Sequence, residues 1–438
     1  MIGRGTLAAS RVVGARGTSA FRHRNYRLFF GGQAVSLVGT WMQQVAQAWL
    51  ILQLTGDPIW LGIAIAAQFL PVMVLGLFAG VAADALPKRQ TLIAVQVVMM
   101  ALAAILAALV LTGVVEVWMI LVLAVLLGCA NAVDMPVRQA FAIELVGRGD
   151  ISNAVALNSA MFNGARIIGP AAAGLAIGAF GIGLAFVINA LSFLAVIVAL
   201  ALMDDDDLHG SGRVARPGST REVFEHLTEG LRYVRSTPAV LFAVTVLGVV
   251  ATAGMNFGVL IPAFTAEVLG GGATEYGFLM AASGIGSLVA ALGLAFSGRT
   301  RPSRIAQGAI VLGLSQMALA ATGLYPVALG LMVLSGFGAI AMAATANATI
   351  QLRVPDVLRG RVMSVYTTVF VASAPIGGLV MGGIASFAGT PVAIAIGGAL
   401  SLIAGIVAAF WGRQVFAAPS TSAAFNPPNP NEVESTRS

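Results

Sequence analysis

Long apolar stretches run through this chain of 438 residues, separated by short polar or Gly/Pro-containing segments. The stretches last about 18 to 25 residues, which is the length a helix needs to cross the hydrocarbon core of a bilayer. A membrane β-barrel would instead show short strands of alternating hydrophobicity. Only 10% of the residues are charged, against about 25% in an average soluble domain. The sequence therefore predicts an all-α membrane protein.

The predicted spans form two groups of six. They cover residues 27–54, 58–83, 90–112, 116–137, 152–178 and 181–203, then 238–268, 275–297, 304–324, 327–351, 361–386 and 390–412. These bounds predict a cytoplasmic tail at 1–26, a six-helix half at 27–203, a central loop at 204–237, a second half at 238–412 and a disordered cytoplasmic tail at 413–438. Within the central loop, residues 221–236 place their apolar side chains on one face, which predicts an amphipathic helix on the inner leaflet or against the bundle.

The charges fix the predicted orientation. If the chain starts in the cytoplasm, every Lys and Arg except Arg166 lies in or beside an inside loop or tail, whereas the outside loops hold Asp57, Glu116, Glu267 and Glu275. We therefore expect a multi-pass protein of the inner (plasma) membrane with both termini cytoplasmic. The net charge of +6 then reflects topology anchors, so nucleic acid is not an expected partner.

The two halves also resemble each other in sequence. A shift of 208 residues lays Gly128, Gln139, Val146, Ala154 and Gly169 on Gly336, Asn347, Val354, Val362 and Gly377, and it maps the span boundaries of one half onto the other. A parallel six-helix repeat with a substrate site between the halves near the midplane is a known plan for transporters. Two fused halves make a monomer sufficient.

The loop after the second span carries a glycine, an aspartate four residues later and a basic pair. These are Gly80, Asp84, Lys88 and Arg89. The glycine permits close helix approach, and the charged groups suit contacts that hold one side of the bundle shut. This spacing resembles the loop between helices two and three of the major facilitator superfamily, which implies twelve transmembrane helices in two pseudo-symmetric halves.

A second run, from Asp134 through Arg138 and Glu144 to Gly174, is similar to the branch of that superfamily with enterobactin exporters, macrolide-efflux proteins and multidrug pumps. The resemblance covers residues 21–412 and implies a gating charge relay of Asp84, Arg89 and Asp134. Gly169, Pro170 and Gly174 resemble the antiporter motif of helix five, although Ala156, Ala165 and Ala173 stand where the pattern often has glycine. The motif favours efflux.

Proton coupling has weaker support. The arginine that many proton-linked members carry in helix four would fall at Ala124, and no histidine lies within a predicted span. A proton carrier would therefore be a carboxylate such as Asp134 or Glu144.

Polar residues inside the spans are the candidates for the substrate cavity. They are Trp41, Gln44, Gln47, Gln68, Ser159, Asn163, Arg166, Asn256, Gln316, Asn347 and Gln351. Each amide could instead join neighbouring helices, and Arg166 could bond to backbone carbonyls. Together with nearby Phe and Met residues they suit a large amphipathic ligand.

Other classes of protein find little support. Lys88 is the only lysine and follows Pro87, so no phosphate-binding loop exists, and the spans contain neither paired acids nor a His/Cys cluster. We expect no enzyme activity, cofactor or metal. The sequence favours secondary export of a hydrophobic or siderophore-like small molecule by alternating access, driven by protons. Metabolite uptake, or a transporter-like receptor or lipid-handling protein, stays open as an alternative.

Overall fold

The computed structural model describes residues 18–209, 220–297 and 301–417, with the side chains of these residues except 77–85, 220–227 and 417. Over this part of the chain there are helices and no strand. A short 3-10 helix, Ser19–Arg22, precedes the first long helix. The fold is thus all-α, as predicted.

The first half contains six long helices. They are α1 (Arg24–Thr55), α2 (Ile59–Ala85), α3 (Lys88–Thr112), a helical run Val117–Phe180 that Gly147 divides into α4 (117–146) and α5 (148–180), and α6 (Ile182–Ala201). The linker helix α7 (Thr220–Ser236) follows. The second half consists of α8 (Pro238–Gly254), α9 (Phe257–Glu267), α10 (Ala273–Phe296), α11 (Ser303–Ala320), α12 (Tyr325–Arg353), α13 (Asp356–Ala388) and α14 (Thr390–Ala417).

The helices correspond to the twelve predicted spans, α8 and α9 together forming the seventh. By length and hydropathy, nine helical segments of the described chain could cross a membrane, with α4 and α5 joined as one and α8 and α9 as another. The glutamine-containing helices α1 and α11 are not among these nine. Both are nevertheless long enough to contribute to the bundle, at 32 and 18 residues.

Two predicted boundaries are wrong. The polar stretch between 137 and 152 was expected to be a loop, but it is helical except at Gly147, whose φ of 68° lies in the left-handed region that glycine adopts without strain. Within this stretch Arg138 and Gln139 line a cavity, while Glu144 and Asp150 form ion pairs with Lys88 and His23 of other segments. At the other end of the chain, residues 413–417 continue α14 instead of beginning a tail. Residues 418–438 lie outside the described part.

The seventh span bends where α8 ends and α9 begins. Asn256 donates from Nδ2 to the carbonyl oxygen of Thr252 at 2.7 Å, and Gln316 of α11 donates from Nε2 to the carbonyl oxygen of Gly254. Both side chains are buried. A break in a membrane helix frees backbone carbonyls that lipid cannot satisfy, so these two amides supply the missing hydrogen bonds.

The two halves pack in the same pattern. In the first half α1 lies against α5 and α6, and α2 lies against α4; in the second half α8 lies against α13 and α14, and α10 lies against α12. The halves join along two seams, α2 with α13 and α5 with α10. This is the predicted architecture of two pseudo-symmetric six-helix halves.

Glycines matched by the 208-residue shift occupy equivalent contacts. A Cβ at Gly128 would lie 2.2 Å from the carbonyl oxygen of Gln68 in α2, and one at Gly336 would lie 1.9 Å from that of Ser283 in α10. Gly169 and Gly377 likewise press against α1 and α8. The sequence repeat therefore preserves the points at which helix backbones touch.

The linker helix α7 packs against the bundle. Its Gly230 faces the carbonyl oxygen of Arg361 in α13, Glu229 forms an ion pair with Arg361, and Val234 is buried. Of the two predicted locations for this amphipathic helix, the structure shows the one against the bundle. The apolar residues predicted at 223, 224 and 227 lie outside the described side chains.

Gly336→Ala should destabilise the protein by about 1 to 3 kcal/mol, because its methyl group would force α12 away from α10. The matched control is Gly330→Ala on the same helix, where no atom lies within 4 Å of an added Cβ. Thermal unfolding in detergent, followed by loss of the monodisperse peak, measures both variants. Equal melting temperatures for Gly336→Ala and the wild type would contradict the close contact.

Candidate functional site

A cavity of about 1300 Å³ lies within the bundle, lined mainly by the first half. The second half contributes Gly258, Tyr276, Met280 and Val371. We name the two ends of the bundle by their charges. The basic end holds the helix termini near Lys88, Arg148, Arg304 and Arg359, and the acidic end holds those near Asp57, Glu116, Glu267 and Glu275.

At the acidic end the halves touch closely. Along the α2–α13 seam, a Cβ on Gly62 would meet the carbonyl oxygen of Gly378 at 2.2 Å. Along the α5–α10 seam, Thr274 donates from Oγ1 to the carbonyl oxygen of Gly174 at 2.9 Å. The rings of Trp49 and Tyr276 stack below this closure, with their centroids 6.1 Å apart. The cavity is therefore shut toward the acidic end.

At the basic end, the ion pairs described by the structure all stay within one half, counting α7 with the second. Lys88 pairs with Glu144 at 2.7 Å and His23 with Asp150 at 3.0 Å in the first half. Arg361 pairs with Glu229, and Arg359 with Asp356, in the second. The cavity lining extends toward this end to include Phe29, Ile143 and Ile151. The cavity therefore opens toward the basic end.

Asp134 is the one carboxylate in the described lining of the cavity, and two residues donate hydrogen bonds to its side chain. Arg138, one turn further along α4, donates from Nε to Oδ2 at 2.8 Å and from Nη2 to Oδ1 at 2.7 Å. Gln96 of α3 donates to Oδ1 at 2.9 Å, and Gln33 of α1 accepts from Arg138. With 5% of its surface exposed, Asp134 is a buried charge compensated by a bidentate cation.

Arg89 does not contact Asp134, its predicted partner in the relay of Asp84, Arg89 and Asp134. Arg89 instead donates to the carbonyl oxygens of Leu200 at 2.8 Å and Ala201 at 2.9 Å, and it pairs with Asp205. The last carbonyls of a helix lack partners within that helix and attract a cation, so the end of α6 competes for this arginine. The side chain of Asp84 and the surroundings of Gly80 lie outside the part of the chain that the structure describes.

Six of the predicted cavity residues line the cavity. They are Trp41, Gln44, Gln47, Gln68, Ser159 and Asn163. Five others are not part of its lining. Asn256 and Gln316 hold the break between α8 and α9, while Asn347 and Gln351 bond to each other at 2.6 Å. Arg166 lies one turn beyond Asn163 on α5, where its guanidinium stands 5.9 Å from the centroid of the Trp41 ring.

Sequence reasoning missed several polar residues of the lining. They are Gln33, Ser36, Thr40, Gln96, Asn131, Gln139, Asn158 and Asn189. A usable signal existed in α1, where Gln33, Ser36, Thr40, Gln44 and Gln47 recur every three or four residues and so form one polar stripe. Asn189 of α6 donates to Gln43 at 2.5 Å. Some of these amides therefore also join helices.

The glycine-proline segment of α5 lies at a seam between the halves. Gly169 packs on the Cβ of Trp41 in α1, whereas the carbonyl oxygen of Pro170 faces Gly277 of α10. Gly174 faces the backbone of Thr274 in the same helix. Small residues thus bring α5 close to both halves at the closed end of the cavity.

Comparisons with known proteins agree with this arrangement. A family model described as transmembrane secretion effector, of the major facilitator type, matches residues 15–437. The multidrug efflux pump Tap of Mycolicibacterium fortuitum is 31% identical over 379 residues, which cover 84% of this chain and 91% of the relative. The staphyloferrin A transporter of Staphylococcus aureus is 26% identical over 61% of this chain and 66% of its own length. A solved nucleoside transporter shares the fold with a TM-score of 0.70 at 13% identity, over 88% of this chain and 98% of the other.

Removing the cation from the buried pair should cost stability. We expect Arg138→Gln to lower the free energy of unfolding by about 3 kcal/mol, because Asp134 would lose its bidentate partner, and the double variant with Asp134→Asn to recover part of that loss. Arg359→Gln, which breaks an exposed pair with Asp356, should cost about 1 kcal/mol or less. Unfolding in detergent measures these three variants together with the single variant Asp134→Asn and the wild type. Additive losses in the double variant would show that the pair is not coupled.

Proposed function

Since the chain belongs to the transmembrane secretion effector family of major facilitator transporters, we propose that it is a secondary exporter of hydrophobic or siderophore-like small molecules that works by alternating access. It is a multi-pass membrane transporter of small molecules and not an enzyme. The observation that carries the proposal is a large cavity among the described helices, shut at the acidic end and open toward the basic end.

The positive-inside rule assigns the basic end to the cytoplasm. A cavity open on that side loads its ligand from the cytoplasm or the inner leaflet, which is the loading step that export requires. Both termini then lie in the cytoplasm, and the membrane is the plasma membrane of a bacterium, as in the relatives named above. The two halves are fused in one chain, so a monomer contains the whole pathway.

The chemistry of the cavity supports a large amphipathic substrate. Its wall combines amides such as Gln44 and Gln68 with the aromatic rings of Trp41, Phe69 and Phe162. Its volume of about 1300 Å³ exceeds what a single sugar or ion would fill. The named activities of the relatives, multidrug efflux and siderophore transport, concern compounds of this general type.

Asp134 is our candidate for the proton carrier. It faces the cavity, and its negative charge is matched by Arg138 in this conformation. Binding a proton would neutralise Asp134 and leave Arg138 with Gln33 as its described partner, free to turn toward solvent, so the two protonation states favour different arrangements of α4. A proton entering from the outside and leaving to the cytoplasm would drive the return of the empty carrier.

The remaining candidate residues fit a gate at the basic end. We assign Lys88 and Glu144, with Gly80, Asp84 and Arg89, to contacts that rearrange when that end closes. The glycine-proline face formed by Gly169, Pro170 and Gly174 would act at the opposite end, where it seals the cavity against leak.

Export can be measured as the accumulation of fluorescent hydrophobic compounds, antibiotics and siderophores in cells that lack or overproduce the protein. We expect lower accumulation on overproduction, and we expect a protonophore and the variant Asp134→Asn to abolish this effect. The matched control Asp356→Asn removes an exposed carboxylate at the basic end and should export normally. Unchanged accumulation of every compound, with the protein present in the membrane, would rule out broad export.

A further inference from the structure

The charges in and around the cavity do not balance. Asp134 is neutralised by Arg138, and the described lining contains no other acidic residue. Arg166 adds a second cation at the end of the cavity nearest the seam between α5 and α10. The described interior of the bundle around the cavity therefore carries one positive charge in excess of its carboxylates.

Arg166 has no ion pair with any carboxylate among the described side chains. Its observed partner is the indole of Trp41, which the guanidinium approaches to 5.9 Å. The same indole packs edge to face against Phe162, with ring centroids 5.7 Å apart. Both aromatic rings line the cavity, so the guanidinium of Arg166 contacts a ring that faces the ligand space.

An arginine so far from both ends of the bundle is costly to keep. Insertion scales make a charged residue at the centre of a membrane helix unfavourable, and such residues face the bundle interior or a water-filled cavity. A cation–π contact with Trp41 offsets part of that cost. The guanidinium retains its forked donors, whose geometry matches a carboxylate or phosphate group.

We propose that the part of the cavity wall around Trp41 is a subsite for the anionic group of an amphipathic organic anion. The apolar or aromatic body of the ligand would pack on Trp41 and Phe162, and its carboxylate would reach the guanidinium of Arg166. This assignment deepens the proposed export function and rests on it. It names the substrate class that the excess charge favours, namely organic anions over organic cations of the same size.

Arg166 also couples the subsite to the closure at the acidic end. Its own carbonyl oxygen lies 3.0 Å from the position of a Cβ on Gly284 of α10, so the residue belongs to the seam between the halves. An anion bound here would neutralise the guanidinium of Arg166 beside that seam. The two halves could then separate along the seam without exposing an unneutralised cation. Opening of the seam would therefore cost less free energy in the loaded carrier than in the empty one.

Binding of three matched probes to the purified full-length protein tests the subsite. Pyrenebutyrate is anionic, pyrenebutanol is neutral and pyrenebutylammonium is cationic, and energy transfer from the five tryptophans of the protein to pyrene reports the binding of each one. We expect the wild type to bind pyrenebutyrate most tightly. Arg166→Gln should weaken pyrenebutyrate binding about tenfold or more while changing pyrenebutanol binding by about twofold or less. The affinity of Arg166→Lys for pyrenebutyrate should lie between those of the wild type and Arg166→Gln. Arg413→Gln, which removes an exposed arginine at the basic end, should bind all three probes as the wild type does.

Two results would overturn the subsite. One is equal affinity of the wild type for the anionic and neutral probes. The other is a loss of all three probes in Arg166→Gln, which is the result expected of a purely structural arginine. The assay needs no transport, so its outcome is separable from that of the export assay. Export without Arg166-dependent anion binding removes only the subsite, whereas anion binding without export removes only the proposed function.

Discussion

A lipid bilayer offers no hydrogen-bond partner, and this constraint governs each departure from regular helix in the structure. Where α8 ends inside the bundle, Asn256 and Gln316 take over the freed carbonyl groups. Where α4 turns into α5, Gly147 makes the turn, and the backbone N–H of His209 donates to the carbonyl oxygen of Glu144 beside it. The buried Asp134 is surrounded by Arg138 and Gln96 for the same reason. Among the described residues, the buried side-chain oxygens without a protein partner are those of Ser283, Gln316, Thr345 and Thr390.

The same constraint shapes the contact between the halves. The closure at the acidic end uses glycine faces and one hydrogen bond from Thr274 to the backbone of Gly174, together with apolar packing. The described ion pairs stay within each half, at the cavity and at the basic end alike. Separating the halves at the closed end would therefore break no described ion pair. Close backbone contacts between rigid halves suit a motion in which one half rocks against the other around a central site.

Much of the architecture is written in the sequence because hydropathy and charge placement are one-dimensional signals. Span length, the two groups of six and the repeated glycines Gly128 and Gly336 follow from pattern alone. The contacts of individual polar residues do not follow from the pattern, because an amide that bonds to a neighbouring helix and an amide that faces a cavity have the same spacing in the sequence. Asn256 was placed in the cavity on that basis, although it holds a helix break. The sequence predicts Arg89 beside Asp134, yet Arg89 binds the carbonyl groups at the end of α6. These carbonyl groups compete for Arg89 because α3 packs on α6, and the sequence alone does not show that packing.

Alternating access to the one cavity can be tested most directly with cysteine chemistry, since Cys129 is the only native cysteine. In a Cys129→Ser background, Ser159→Cys places a reporter thiol on the cavity wall. The further pair Ile59→Cys and Gly382→Cys allows a disulfide to lock the closed end. The two positions are close enough because a Cβ on Gly382 lies 3.3 Å from the Cα of Ile59. Membrane-impermeant maleimide is then applied to sealed vesicles of either orientation. Alternating access predicts that the thiol at position 159 reacts from both sides before the lock forms and only from the basic, cytoplasmic side afterwards, with export lost. Reaction from a single side before locking, or export that persists with the closed end cross-linked, would contradict it.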